Sequence, residues 1–178
     1  MQRNLVMTVI GDDRAGLVSA LANVITAHRG NWERSQMAEL AGKFAGILVV
    51  TVPAEQADEL IAATRALDGL LDVSVHEGAR PAAAGEKPRH LAISVLGNDH
   101  PGIVHELSSA LSSRGLSIDK VTTSTREAPM AGGMLFEAHL EVRLPRDIEV
   151  SSIRSDLERI AAELLVDLEI DERHDAAS

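Results

Sequence analysis

The sequence predicts an α+β protein made of two copies of one β-α-β-β-α-β unit. Three observations carry this. A Gly-bounded acidic turn occurs twice, as "VIGDDRAGLV" at Val9–Val18 and "VLGNDHPGIV" at Val95–Val104. The apolar pattern around the turn repeats at the same spacing, with Gly16 and Gly102 standing 86 positions apart. Between the copies, "EGARPAAAGEKPRH" at Glu77–His90 is rich in Ala, Gly and Pro and has no apolar period, as a linker would. The expected boundaries are a first domain at 1–78, a linker at 79–88, a second domain at 89–173 and a tail at 174–178.

Each element follows from its pattern. Leu5, Met7 and Val9 answer Leu91, Ile93 and Val95. They alternate with apolar or small neighbours, which predicts a largely buried first strand. After the turn, Leu17, Val18, Leu21 and Ile25 answer Ile103, Val104, Leu107 and Leu111, at spacings that make one helical face. Gly30 and Gly115 are the expected C-terminal caps. They miss the common spacing by one residue, which predicts a small insertion before Trp32 and Ile118. Second strands are expected near Trp32–Leu40 and Ser117–Arg126, the latter Thr-rich and half exposed.

The third strands are "KFAGILVVTVP" and "GGMLFEAHLEVRLP", closed by Pro53 and Pro145. In the second of these, Glu137, His139 and Glu141 share one wet face. They could perform acid–base work, although a solvated sheet face is the simpler account. A second helix follows, with Leu60, Ile61, Thr64 and Leu67, or Ile153, Leu157, Ile160 and Leu164, as its buried stripe. "LLDVSVH" and "LLVDLEID" are the last strands. Right-handed crossovers then give a ferredoxin-like sandwich: a four-stranded antiparallel sheet with two helices on one face. The first and third strands are central, and the second and fourth are edges. Exposed edges invite pairing, which predicts a homodimer or a hetero-complex.

Composition narrows the function classes. The chain has 178 residues, a net charge of −10, no cysteine and no Lys/Arg run. A surface this acidic repels phosphate backbones and anionic membranes. Disulfides, thiolate metal sites and cysteine nucleophiles are excluded. The apolar run near the N-terminus is too short for a signal peptide or a membrane span, so a cytoplasmic protein is expected. The first strands carry no aromatic or basic residue, against an RNA-binding sheet. Nucleophile-elbow, Walker and Rossmann patterns are absent. Arg14 with Asn31 is a distant imitation of an acylphosphatase-like site, and Asp12 and Asp13 would repel its phosphate. His100 and His105 lack the spacing of a helical metal pair. No enzyme, metal or cofactor is expected.

A tandem of such domains, each with a "G-x-D-x-P-G-I/L-V" turn after its first strand, resembles the ACT domain family. The pair without an attached enzyme or DNA-binding domain resembles its glycine cleavage system transcriptional repressor group. "GNDHPGIV" follows the pattern; "GDDRAGLV" has Ala15 in place of Pro. The resemblance implies a non-enzymatic sensor of a small amino acid of the glycine or serine class. It also implies a readout through a protein partner such as a transcription factor, with no direct nucleic-acid contact.

The turns suit such a ligand. Each leads into a helix N-terminus, whose unpaired N–H groups and partial positive charge can hold a carboxylate. An adjacent Asp can receive an ammonium group. The candidate residues are Asp12, Asp13, Arg14, Ala15, Gly16 and Leu17 in the first turn, and Asn98, Asp99, His100, Pro101, Gly102 and Ile103 in the second. In the family the effector also meets the start of the second strand of a paired domain. Asn31 fits that role in the first copy, and Ser117 is its nearest equivalent in the second. The competing account is structural: the acids cap the helices, Pro101 fills a first-turn position, and the unit is a dimerising module without a ligand.

Overall fold

The computed structural model describes residues 1–79, 89–129 and 132–173. Most of the expected linker, the expected tail and residues 130–131, between the second and third strands of the second copy, lie outside these. The chain divides into two compact units, Met1–Ala83 and Ala84–Ser178.

The first unit runs β1 (Gln2–Asp12), α1 (Leu17–Ala27), β2 (Asn31–Leu40), β3 (Lys43–Pro53), α2 (Ala57–Thr64) and β4 (Asp72–Glu77), with short 3-10 turns flanking α2. Its antiparallel sheet has the order β2-β3-β1-β4. The second unit runs β5 (Arg89–Asn98), α3 (Ile103–Ser113), β6 (Ser117–Glu127), β7 (Met134–Leu144), α4 (Val150–Leu164) and β8 (Val166–Arg173). Its sheet has the matching order β6-β7-β5-β8. Both are the expected ferredoxin-like sandwich, with β1 and β3, or β5 and β7, in the centre. Among the described residues, no helix is long and apolar enough to cross a membrane.

Alternation builds each core. Leu5, Met7 and Val9 of β1 and Leu48, Val50 and Val52 of β3 point to the face covered by Leu17, Leu21 and Ile25 of α1 and Leu60 of α2. The second core uses Leu91, Ile93 and Val95 under Ile103, Leu107 and Leu111 of α3 and Ile153 and Leu157 of α4. Each fully buried side chain contributes about 1.5–3 kcal/mol by removal from water. The expected stripes need three adjustments. Val18 and Val104 are half exposed, because they sit one residue round the helix from Leu17 and Ile103. Leu67 is buried but lies in a 3-10 turn after α2 has ended. Ile61 in α2, and Ile160 and Leu164 in α4, only flank their cores, and the third buried contact of α4 is Ala161.

The expected insertion is absent. Arg29, not Gly30, takes the left-handed conformation after α1 (φ 58°), and Gly115 does so after α3 (φ 70°). Gly30 N–H donates to Ile25 O, and Leu116 N–H donates to Leu111 O. The spacing of 86 therefore runs unbroken through both helix ends. It continues into matched irregularities of the second strands, between Trp32 and Arg34 and between Ile118 and Lys120. An ion pair repeats as well, Arg3–Glu77 in one unit and Arg89–Glu172 (2.7 Å) in the other.

The hairpins differ. β2 and β3 are joined by Ala41 and Gly42 alone, both at positive φ, as in the tight turn that suits strand twist. Ala41 pays steric strain there that Asn relieves. Ala41→Asn is expected to stabilise the first unit by about 0.5–1 kcal/mol, read as a higher denaturation midpoint of Trp32 fluorescence.

Candidate functional site

Each turn spans four residues between a central strand and the first helix: Asp13, Arg14, Ala15 and Gly16, or Asp99, His100, Pro101 and Gly102. The backbone anchors correspond. Asp13 N–H donates to Gly42 O at 2.9 Å, and Asp99 N–H donates to Met134 O at 2.8 Å. Gly16 (φ 93°) and Gly102 (φ 104°) precede the helices in a conformation that disfavours a Cβ. Neither glycine has another atom crowding its missing Cβ, so backbone angle rather than close packing requires it.

The acids do not cap the helices. No side chain bonds the N-terminus of α1 or α3. The first backbone acceptor is the glycine itself: Ala20 N–H donates to Gly16 O and Glu106 N–H to Gly102 O, both at 2.9 Å. The amides of Leu17 and Ile103 thus open the uncapped, partially positive end of an eleven-residue helix. Ala15 and Pro101 are exposed just before them.

The remaining side chains divide into two groups. Asp13 and Asp99 are exposed beside the helix mouths, and Asn98 is exposed at the end of β5. Asp12 is ion-paired with Lys43, whose hydrogen bond and charge hold its carboxyl below the usual range. Arg14 and His100 turn back to the protein. Arg14 donates from Nη2 to Gly69 O at 2.8 Å. His100 faces Leu164 O with Nε2 at 3.0 Å and Pro101 O with Nδ1 at 3.1 Å.

Asn31 and Ser117 occupy corresponding first positions of β2 and β6, but far from their own turns. Asn31 is registered through Thr51 to Asn4, eight residues along β1 from Asp12. At about 3.3 Å per residue that is roughly 26 Å. Ser117 is registered through Arg143 to His90, equally far from Asn98. Within a unit, turn and strand start form no joint pocket. Asn31 donates to Glu33 Oε1 at 2.7 Å, which also accepts from Thr51 Oγ1 at 2.8 Å. Those two bonds, Thr51 first, hold the Glu33 carboxyl below its usual range.

Two concavities occur in the first unit. One of about 320 Å³ adjoins the turn, between Ile10–Asp12, Lys43 and Gly69–Asp72. A wider one of about 980 Å³ lies at the Asn4–Thr51 end and shares no residue with the turn. Repeated geometry, not size, singles out the turns. On the second sheet, His139 Nδ1 lies 3.1 Å from Ser94 Oγ and its Nε2 lies 3.5 Å from Glu137. All three are solvent-facing or partly so, and none of them lines either concavity. Among the described residues, no three His, Asp or Glu side chains are placed to hold a metal ion.

Sequence profiles of the ACT domain match residues 3–76 and 92–164. The chain belongs to the ACT domain family. Its two ACT domains coincide with the two structural units. No curated protein matches the chain. Among solved structures, a protein of unknown function from Galdieria sulphuraria is similar at 27% identity, with a TM-score of 0.86, 98% of this chain covered and 100% of the other. A candidate glycine cleavage system transcriptional repressor is similar in fold, with a TM-score of 0.73 at 13% identity, over 98% of this chain and 99% of the other. The likeness in fold therefore extends across the full length of both relatives.

Proposed function

We propose that this tandem ACT protein is a regulatory amino-acid sensor without enzymatic activity. A small amino acid of the glycine or serine class binds at an ACT-domain interface. The protein passes the signal to a protein partner such as a transcription factor that controls amino-acid metabolism, in the cytoplasm. One observation carries the reading: both ACT domains present an uncapped helix N-terminus behind a left-handed glycine, with an exposed Asp beside it. The amides suit a carboxylate and the Asp suits an ammonium group, which together describe a free α-amino acid. A ligand that also meets Asn31 or Ser117 must take turn and strand from different ACT domains, since each domain keeps its own two about 26 Å apart. Such a ligand regulates by binding one arrangement of domains better than another.

Calorimetric titration with the common amino acids, glycine and serine first, tests this. Saturable binding is expected. Asp13→Ala or Asp99→Ala is expected to weaken it by about 10- to 100-fold, the worth of a hydrogen bond to a charged group. No heat from any of them at millimolar concentration would overturn the reading. It would favour a dimerising ACT module without ligand, to which the long, exposed edge strands β2 and β6 are suited.

A further inference from the structure

The residue after the acid that opens each turn, Arg14 or His100, does the same mechanical task in both units, with different chemistry. Gly69 and Leu164 occupy corresponding places. Ile10 pairs with Asp72 and Leu96 pairs with Asp167, and each acceptor carbonyl lies three residues before that partner. Arg14 bonds Gly69 O, and His100 bonds Leu164 O. In each unit a side chain thus ties the turn to the segment that enters the last strand. We infer that these are positioning latches, permanent in the first unit and proton-gated in the second.

The gating follows from the acceptors. Both ring nitrogens of His100 face carbonyl oxygens, which cannot donate. Only the imidazolium supplies two N–H donors, so the geometry is that of the charged ring. The acceptor Leu164 O also belongs to the last turn of α4, where the helix dipole favours a cation. Neutral His100 would turn a nitrogen lone pair toward an oxygen lone pair and lose one bond. Arg14 has no such neutral form in the accessible pH range.

Of the charged residues on the elements that flank the latch, namely Asp99 of the turn, His105 and Glu106 of α3, Glu163 of α4 and Asp167 of β8, it is Asp99 whose charge acts on the ring. Glu163 is engaged by Arg159 at 2.8 Å. The hydrogen bond to Leu164, then that to Pro101, raise the His100 pKa above its usual 6.5; partial burial opposes them, and the Asp99 charge adds the least. A raised folded-state value fixes the sign. The stabilisation is fully present below the unfolded value and is lost as pH rises through the folded one.

The latch is a property of the fold and stands whether or not an amino acid binds. The experiment uses the uniformly ¹⁵N-labelled full chain, from about pH 5 to about pH 8, where histidine charge changes. Long-range ¹H–¹⁵N spectra report the protonation of both His100 nitrogens. Hydrogen exchange reports the protection of the Asp99 amide, with the matched Asp13 amide as an internal reference. Both ring nitrogens are expected to be protonated at the acid end. Protection at Asp99, corrected for intrinsic rate, is expected to fall several-fold with rising pH while Asp13 stays constant. His100→Arg should abolish the pH dependence, and Arg14→His should install it at Asp13. A neutral His100 at the acid end, or parallel behaviour of the two amides in the wild-type chain, would overturn the inference.

Discussion

Leu60→Ala is expected to separate the unfolding of the two ACT domains. Leu60 is fully buried in α2, between the sheet and α1. Truncating such a leucine costs about 2–5 kcal/mol, the transfer loss plus the cavity left behind. A domain of this size is stable by only about 4–12 kcal/mol. The chain supplies its own local probe, because its one tryptophan, Trp32, packs against the first core. Urea unfolding followed by Trp32 fluorescence should shift to lower midpoint by roughly 1–3 M. Far-ultraviolet dichroism should then show two steps, the later one belonging to the second domain. Leu157→Ala in α4 is the reciprocal case and should move the dichroism transition while leaving the tryptophan midpoint in place. Coincident shifts of both probes in both variants would show that the domains unfold as one.

Gly11→Ala carries the second large effect, and it acts on the turn as well as on stability. Gly11 lies in β1 two residues before Asp13. A Cβ there would stand 2.5 Å from Leu70 O and 3.1 Å from Leu71 Cδ2. The near atom is backbone, so no side-chain rotation relieves it. Gly97 repeats the arrangement, with Val166 Cγ1 at 2.5 Å. Both glycines let the segment entering the last strand lie close against the central strand, next to the carbonyls that Arg14 and His100 bind. Overpacking of this kind costs about 1–3 kcal/mol. Gly11→Ala should lower the Trp32 midpoint accordingly. It should also reduce protection of the Asp13 amide, because Leu70 follows the Arg14 acceptor directly. Gly16→Ala is the useful contrast: nothing crowds it, so it pays only for its left-handed backbone, about 1–2 kcal/mol. Undiminished stability in Gly11→Ala would mean that the 69–71 segment yields.

The repeat was legible because side-chain period and burial follow one another. Leu5, Met7 and Val9 had to face a core, and their counterparts at Leu91, Ile93 and Val95 had to face another. What misled was residue identity at a backbone-determined position. Glycine marks left-handed helix ends so often that the sequence points to Gly30, yet Arg29 occupies that conformation and Gly30 packs against Ile25 and Val50. The turns were visible as motifs, but the engagement of Arg14 and His100 was not. Their partners are the carbonyls of Gly69 and Leu164, and a carbonyl has no signature in sequence. The role of the acids was open for a similar reason. Asp before a helix is compatible with capping or with exposure, and only the folded structure places Asp13 and Asp99 outside the cap.

The irregularity shared by β2 and β6 bears on solubility. An edge strand of ten or eleven residues is a template for runaway pairing. A bulge between Trp32 and Arg34, and between Ile118 and Lys120, bends and over-twists the start of each edge. It lets Trp32 pack against the core of its own domain while Arg34 stays exposed. A foreign strand meets a regular ladder only beyond it, along Arg34–Leu40 or Lys120–Glu127. Both copies thus shorten the regular part of the edge, and with it the template on which strands stack into fibres.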